Sequence, residues 1–301
     1  MKRRGLLIAL ALVAVLAIAA AVGWALSRPP SAEEAAADYM RALSDGDYET
    51  IAAMIHPSLD AAGAAVADAF AGAAYGTAPE VEEITPSEGA AGVRASLELG
   101  GERHTVFFGM ELRNGRWAVT SDYLALLDVS TTVGDSVWVG DALVPAGEVS
   151  LLPAVYPVSP APREILTGGT EVAVSNDEPV SVAVDAALAD DAGARAQEQL
   201  DAYLDDCTTA ATAVPEACGI RIPWAADLAT LEGVAYRIEQ RPTVALSSEE
   251  MSFAATGGVL VATAVGTTRA GATGEYTYRA DDWALHGTIR FTGDELVLAV
   301  R

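Results

Sequence analysis

Lysine is almost missing from this chain. Lys2 is the only one in 301 residues, and every other basic side chain is arginine. From residue 5 onward, that absence excludes a phosphate-loop lysine, a Schiff-base lysine and the Ser-x-x-Lys acyl-transfer arrangement. Histidine is scarce too, with only His56, His104 and His286. None has the His-x-x-x-His or His-Glu-x-x-His spacing that puts two imidazoles on one helix face for zinc. There is no Gly-x-Ser-x-Gly elbow and no glycine fingerprint for a dinucleotide. No catalytic, cofactor-binding or metal-binding residue is therefore assigned, and no cofactor is expected. Each histidine reads first as a structural imidazole, with a lone general base as the alternative.

Positive charge is short overall. Against 42 acidic residues stand 18 basic ones, a formal net charge of −24. Setting aside Lys2, Arg3 and Arg4 takes the remainder from −24 to −27. Such a surface repels phosphate backbones, so no nucleic-acid partner is expected, and a basic partner is favoured. The acids give no metal motif: the calcium-loop spacing Asp-x-Asp-x-Asp-Gly is absent. Asp190, Asp191, Asp201, Asp205 and Asp206 gather on one expected helix, either as a solvated face or as a site for a cation or basic partner. Two cysteines, Cys207 and Cys218, are too far apart in sequence for a Cys-x-x-Cys redox pair and lack nearby histidines for zinc. In an exported chain they read as a disulfide.

What the sequence does contain is one long apolar run. Residues 5–26 carry no charge and no proline, and the basic cluster Lys2-Arg3-Arg4 precedes them. About 22 helical residues cross a ~30 Å hydrocarbon core, longer than the h-region of a cleavable signal. The reading is a single-pass membrane anchor with a cytoplasmic basic tip and an extracytoplasmic C-terminal bulk. A removed signal peptide is the alternative, since residues 17–21 offer small side chains to a peptidase. No cysteine lies close enough for lipid attachment.

Beyond a short spacer at residues 27–30, Ser31 and Glu34 have capping-box spacing, and Ala36, Tyr39, Met40 and Leu43 form an apolar stripe. Gly46 ends this helix and Asp47 caps the next, which carries Tyr48, Ile51, Ala52 and Ile55 inward and stops at Pro57. A third helix is expected over residues 59–74, with Val66 and Phe70 inward. The period then becomes two. Val93, Ala95, Leu97 and Leu99 alternate with polar residues, as do Val106, Phe108, Met110 and Leu112. Asn114-Gly115 is a hairpin turn leading to Trp117 and Val119.

This order, with the Leu43–Tyr48 turn sequence Leu-Ser-Asp-Gly-Asp-Tyr and the His56-Pro57 step, resembles the nuclear transport factor 2-like superfamily. That resemblance implies a cone-shaped α+β domain at residues 31–126. The superfamily includes isomerases, hydrolases and non-catalytic adaptors, so it implies no single activity. Residues 137–158, with Gly140-Asp141, Gly147 and Pro153-Ala154, are similar to PEGA-type β modules of envelope proteins.

The whole reads as an α+β protein in five parts. Residues 1–26 are the basic tip and transmembrane helix, 27–30 the spacer and 31–126 the cone-shaped domain. A small all-β module follows at 127–190. Residues 191–301 form a C-terminal α+β domain, with a helix over residues 192–211 on an antiparallel sheet and the Cys207–Cys218 bond. The expected role is that of a non-enzymatic envelope protein at the cell membrane, binding another protein or a wall component. A small-ligand or enzymatic use of the interior of residues 31–126 is the alternative.

Overall fold

Ser31 opens the first helix as its spacing predicts. Its hydroxyl accepts from the Glu34 N–H at 3.2 Å, while its own N–H donates to the Glu34 carboxylate at 2.9 Å. These reciprocal bonds occupy donors that the first turn leaves open. The computed structural model describes residues 30–57 and 62–301, and the expected transmembrane helix at residues 5–26 lies outside them. Among the described residues, no helix is long and apolar enough to cross a membrane.

Helix α1 (Ala32–Asp45) buries the stripe Ala36, Tyr39, Met40 and Leu43, and Gly46 ends it with φ +71. Asp47 then accepts from the Thr50 N–H at 3.0 Å and starts α2 (Tyr48–Met54), which buries Ile51. Helix α3 (Ala62–Ala71) buries Val66 and Phe70 but stops short of the expected residue 74. Beyond it, Ala74 exchanges backbone hydrogen bonds with Val155, at 2.8 and 2.9 Å, and that extended pairing is incompatible with a continuing helix.

Four antiparallel strands follow in sequence order: β1 (Thr77–Ser87), β2 (Ala90–Leu99), β3 (Glu102–Arg113) and β4 (Arg116–Ser121). The sheet turns Val93, Ala95, Leu97, Val106, Phe108, Met110 and Val119 into the core. Strand β1 has no counterpart in the periodicity, because nine of its eleven residues are exposed and neither face is apolar.

The next unit is all β. It comprises β5 (Ala125–Thr131), β6 (Ser136–Val139), β7 (Ala142–Pro145), β8 (Gly147–Leu151), β9 (Ala154–Pro160), β10 (Leu166–Thr167), β11 (Thr170–Val174), β12 (Val180–Val184) and β13 (Ala187–Leu188). One sheet has the order β11-β9-β6-β7 and another β12-β5-β8, with β12 parallel to β5. Their inward residues, including Leu127, Val139, Tyr156 and Val174, belong to the same buried cluster as the three helices and β1–β4. Close approach makes this continuity possible at Gly140, where a Cβ would lie 2.1 Å from the Ala69 carbonyl oxygen.

A second core begins at Ile165. Helix α4 (Ala192–Cys207) buries Ala196, Leu200, Leu204 and Cys207, ending at Cys207 rather than the expected residue 211. Asp206 and Leu204 carbonyls take the N–H of Thr208, and Ala211 is drawn into a bridge with Val234. The sheet order is β14 (Leu228–Gln240), β16 (Ser252–Thr268), β17 (Thr273–Thr292) and β18 (Glu295–Val300), with β15 (Thr243–Ser247) also paired to β16. Strand β17 runs unbroken through the polar stretch 279–282, and a register shift between Gly258 and Leu260 of β16 absorbs the irregularity opposite it. The architecture is thus mixed α+β, with sheet predominating.

Candidate functional site

The three histidines do not converge. His56 is exposed just beyond α2, where its backbone N–H donates to the Val119 carbonyl at 2.8 Å. His104 lies on β3 opposite Leu97, and its Nε2 is buried without a hydrogen-bond partner. His286 is exposed on β17 opposite Ala254, in the second core's sheet. No carboxylate or hydroxyl hydrogen-bonds any of these imidazoles, so no nucleophile–base pair is assembled around them among the described residues. Nor do three or more His, Cys, Asp or Glu side chains gather as a metal site among the described residues.

The acidic face of α4 has an answer within the chain. Arg241 donates to Asp205 at 2.5 Å and to the Asp201 carbonyl at 3.0 Å. Gln197 adds a bond to the Asp201 carboxylate at 2.9 Å and takes the Val244 N–H at 2.9 Å. The repulsion between Asp201 and Asp205 is thereby turned into attachment of the β14–β15 connection. Sequence alone could not find Arg241, because its partners lie 36 and 40 residues away.

Cys207 and Cys218 are bonded, with Cα atoms 5.7 Å apart. The bridge ties the end of α4 to a short turn at Glu216–Cys218. The buried Trp283 indole donates to the Cys218 carbonyl at 2.9 Å, which seats the loop on the second core.

The interior beneath α1–α3 is filled by the chain itself. Tyr39, Met40, Leu43, Ile51, Phe70, Leu97, Phe108 and Met110 are all at most 2% exposed, and the Tyr39 and Phe108 rings lie 4.7 Å apart. Besides the His104 Nε2, a second unpartnered polar atom interrupts this apolar packing. The Tyr39 hydroxyl is buried with no hydrogen-bond partner. Desolvation, with a smaller contribution from Tyr123, pushes its pKa far above that of an ordinary phenol. Buried Tyr156 is shifted the same way, chiefly by desolvation, although its hydroxyl donates to the Leu152 carbonyl at 2.7 Å.

Open space lies on the surface. A groove of about 580 Å³ crosses the face of β1–β4 turned away from the helices. Its floor is a cross-strand pair of glycines, Gly92 on β2 opposite Gly109 on β3. A Cβ at Gly92 would meet nothing within 4 Å. The walls are Glu83 and Arg94, 3.5 Å apart, with Phe107, which is 40% exposed, and Glu111, Ser121 and Asp122. Strand β4 ends at Ser121, and the Asn176 side chain takes over beside it. Its amide nitrogen donates to the Phe107 carbonyl at 2.5 Å, and its oxygen accepts the Phe107 N–H at 3.0 Å. Asn176 therefore acts as a one-residue substitute for a neighbouring strand and holds Phe107 in place.

A second pair of hollows flanks the tip of the β3–β4 hairpin. One, of about 440 Å³, is lined by Pro30, Asp38, Arg41, Met54, Arg116 and Trp117 among others. The other, of about 660 Å³, adds His56, Arg113 and Asn114. Periodicity finds none of these hollows, because each arises from cross-strand register and from which strand ends first. No protein-family model matches the chain, and no curated protein matches it.

Proposed function

We propose that this chain is a non-enzymatic, single-pass membrane protein of the cell envelope whose extracytoplasmic modules bind a polar or basic protein segment. The observation that carries this reading is the groove floored by Gly92 and Gly109: accessible volume sits on an outer sheet face, while the interior is occupied by fully buried side chains. Its rim offers three carboxylates, Glu83, Glu111 and Asp122, of which Glu83 pairs with Arg94 and Glu111 with Arg113, plus the Phe107 ring and the Ser121 hydroxyl. That combination suits an extended basic segment laid across the strands. The run of three helices before a four-stranded meander supports a nuclear transport factor 2-like origin for residues 31–126, and the β6–β7 hairpin with β9 paired to β6 supports a PEGA-like module at 137–158. The apolar run at residues 5–26 and the Cys207–Cys218 bond support placement outside the cytoplasm.

Protease added to intact spheroplasts should digest the C-terminal bulk and leave the anchor in the membrane pellet. Full protection overturns the orientation. Crosslinking from Arg94, replaced by a photoreactive residue, should capture a partner in the membrane fraction, and an empty lane would remove the groove from consideration.

One observation favours the alternative use of the interior, namely the orphaned Tyr39 hydroxyl. A buried hydroxyl without a partner costs stability unless something hydrogen-bonds to it.

A further inference from the structure

We propose that the tip of the β3–β4 hairpin is seated in the phospholipid headgroup layer of the membrane that carries this chain, through Leu112, Arg116 and Trp117. The inference rests on the reading of residues 5–26 as an anchor. If that run ends at Leu26, only Ser27, Arg28 and Pro29 separate it from Pro30. Four residues of extended chain span at most about 14 Å, so the start of α1 cannot leave the membrane surface by more than that.

The fold then decides what else is at this end. Gly46, at the far end of α1, stands against the Tyr75 ring just before β1. Strand β1 returns along α1, so its turn into β2 reaches the Pro30 end, where Gly89 accepts the Leu112 N–H at 2.8 Å. Pro30, Arg116 and Trp117 line one hollow, which runs on along α1 to Asp45 and Asp47. The level is set by Phe108: its ring packs on Tyr39 midway along α1, and Leu112 lies four residues further along β3. The β3–β4 tip is therefore beside the point where the chain leaves the membrane, while the β2–β3 turn at Gly100-Gly101 is at the opposite end of the same strands.

The tip has the chemistry of an interfacial element. Leu112 pairs across the hairpin with Trp117, and Arg113 with Arg116. Leu112 and Trp117 continue the inward-facing row of Met110 and Val119; Trp117 is half-buried with one face on the core, while Leu112 is 43% exposed. A tryptophan beside a leucine, with arginine at the same level, is the arrangement favoured at a headgroup boundary. The neighbouring charges narrow the choice of cation. Arg113 is held by Glu111 at 2.6 Å and Arg41 by Asp38 at 2.6 Å. Arg116 makes no hydrogen bond or ion pair among the described residues and is exposed, so it is free for a phosphate. Glu33 and Glu34 in the first turn of α1, and Glu88 in the adjacent turn, repel an anionic surface, which confines the contact to the tip.

The test uses the full chain in vesicles of equal parts phosphatidylglycerol and phosphatidylcholine. The native cysteines are bonded to each other, so an introduced thiol is the only one that a dye can label. An environment-sensitive fluorophore is placed at either end of β3, in Arg113→Cys or Glu102→Cys. The Arg113→Cys label should emit to the blue and be quenched by lipid-borne quencher, whereas the Glu102→Cys label should be quenched by aqueous iodide only. Adding Leu112→Asp and Arg116→Glu to the first variant should abolish the lipid quenching while the chain still floats with the vesicles. Flotation with no lipid quenching at either position, or equal quenching at both, overturns the seating and leaves the anchor intact. Lipid quenching that survives Leu112→Asp and Arg116→Glu also overturns it. A chain that does not float at all overturns the anchor and the seating together.

Discussion

Asp294 and Trp138 join the two halves of the molecule. The carboxylate in the β17–β18 turn accepts from the Trp138 indole at 2.9 Å and from the Arg163 N–H at 3.0 Å. Arg163 in turn stacks on the Trp138 ring, 4.1 Å from its centroid. The second core's last hairpin is thus clasped by the all-β unit. An Asp294→Ala variant loses a charged acceptor serving two donors, and at this exposed, solvent-screened site it should cost up to about 1 kcal/mol in denaturant unfolding. Asp294→Asn keeps one acceptor and should cost less. Equal stability of all three proteins would show that the clasp contributes nothing.

The Cys207–Cys218 bond closes a short loop against the buried Trp283. Replacing Cys207 with Ser should lower the stability of the second core by about 2–5 kcal/mol, the range seen when small exported domains lose a disulfide. Mass spectrometry of a non-reduced digest should recover the linked peptides. Two alkylatable thiols in native, unreduced protein would contradict the bond.

Tyr39→Phe separates the two functional readings. It removes a buried hydroxyl that has no partner and keeps the ring against Phe108. If the interior serves only as packing, the variant should be unchanged or up to about 2 kcal/mol more stable. A loss of stability of similar size would show that the hydroxyl is occupied in solution, and would favour the interior as a ligand site.

The same tyrosines predict alkaline behaviour. Burial raises the Tyr39 and Tyr156 phenols above the ordinary value of 10.0. Each native phenol therefore holds its proton more tightly than it does in the unfolded chain. Stability from this source is complete below the unfolded value and is lost as pH rises above it. Spectrophotometric titration should show these two phenolates appearing only together with unfolding. Reversible ionisation of all nine tyrosines in the folded protein would refute it.

Local rules carried the helices, and register hid the rest. Ser31, Gly46 and Asp47 act within a few residues of themselves, so their caps are readable from spacing and are present as expected. Strand β1 is held by pairing with β2 while Glu80, Glu82 and Glu83 face water, so its own residues carry no periodic mark. Strand β5 runs through the expected break between residues 126 and 127, and one buried cluster extends from Ala35 to Val184. The glycine floor was unreadable for a related reason. Gly92 and Gly109 are 17 positions apart, and only the β2–β3 register places one opposite the other.

That pairing gives the most direct test of the proposed binding surface. Gly92 needs no positive φ, and a Cβ there would enter open space, so a larger residue fits the strand without backbone strain. Tryptophan also favours extended backbone, and Gly92→Trp should fold with stability within about 1 kcal/mol of the parent. Its ring would lie over the Gly109 backbone, between the Arg94–Phe107 pair and the Ala90–Glu111 pair, in the middle of the groove. Gly109→Trp is a poorer probe, because a Cβ there meets the Ser121 hydroxyl at 2.4 Å. If the groove receives the partner, Gly92→Trp should lose about tenfold or more in recovery of the crosslinked complex, equivalent to about 1.4 kcal/mol. Raising the salt should weaken the parent complex as well, since the rim is acidic and exposed charges are screened beyond about 8–10 Å. A Gly92→Trp protein that folds normally and recovers the partner undiminished would place binding elsewhere on the molecule.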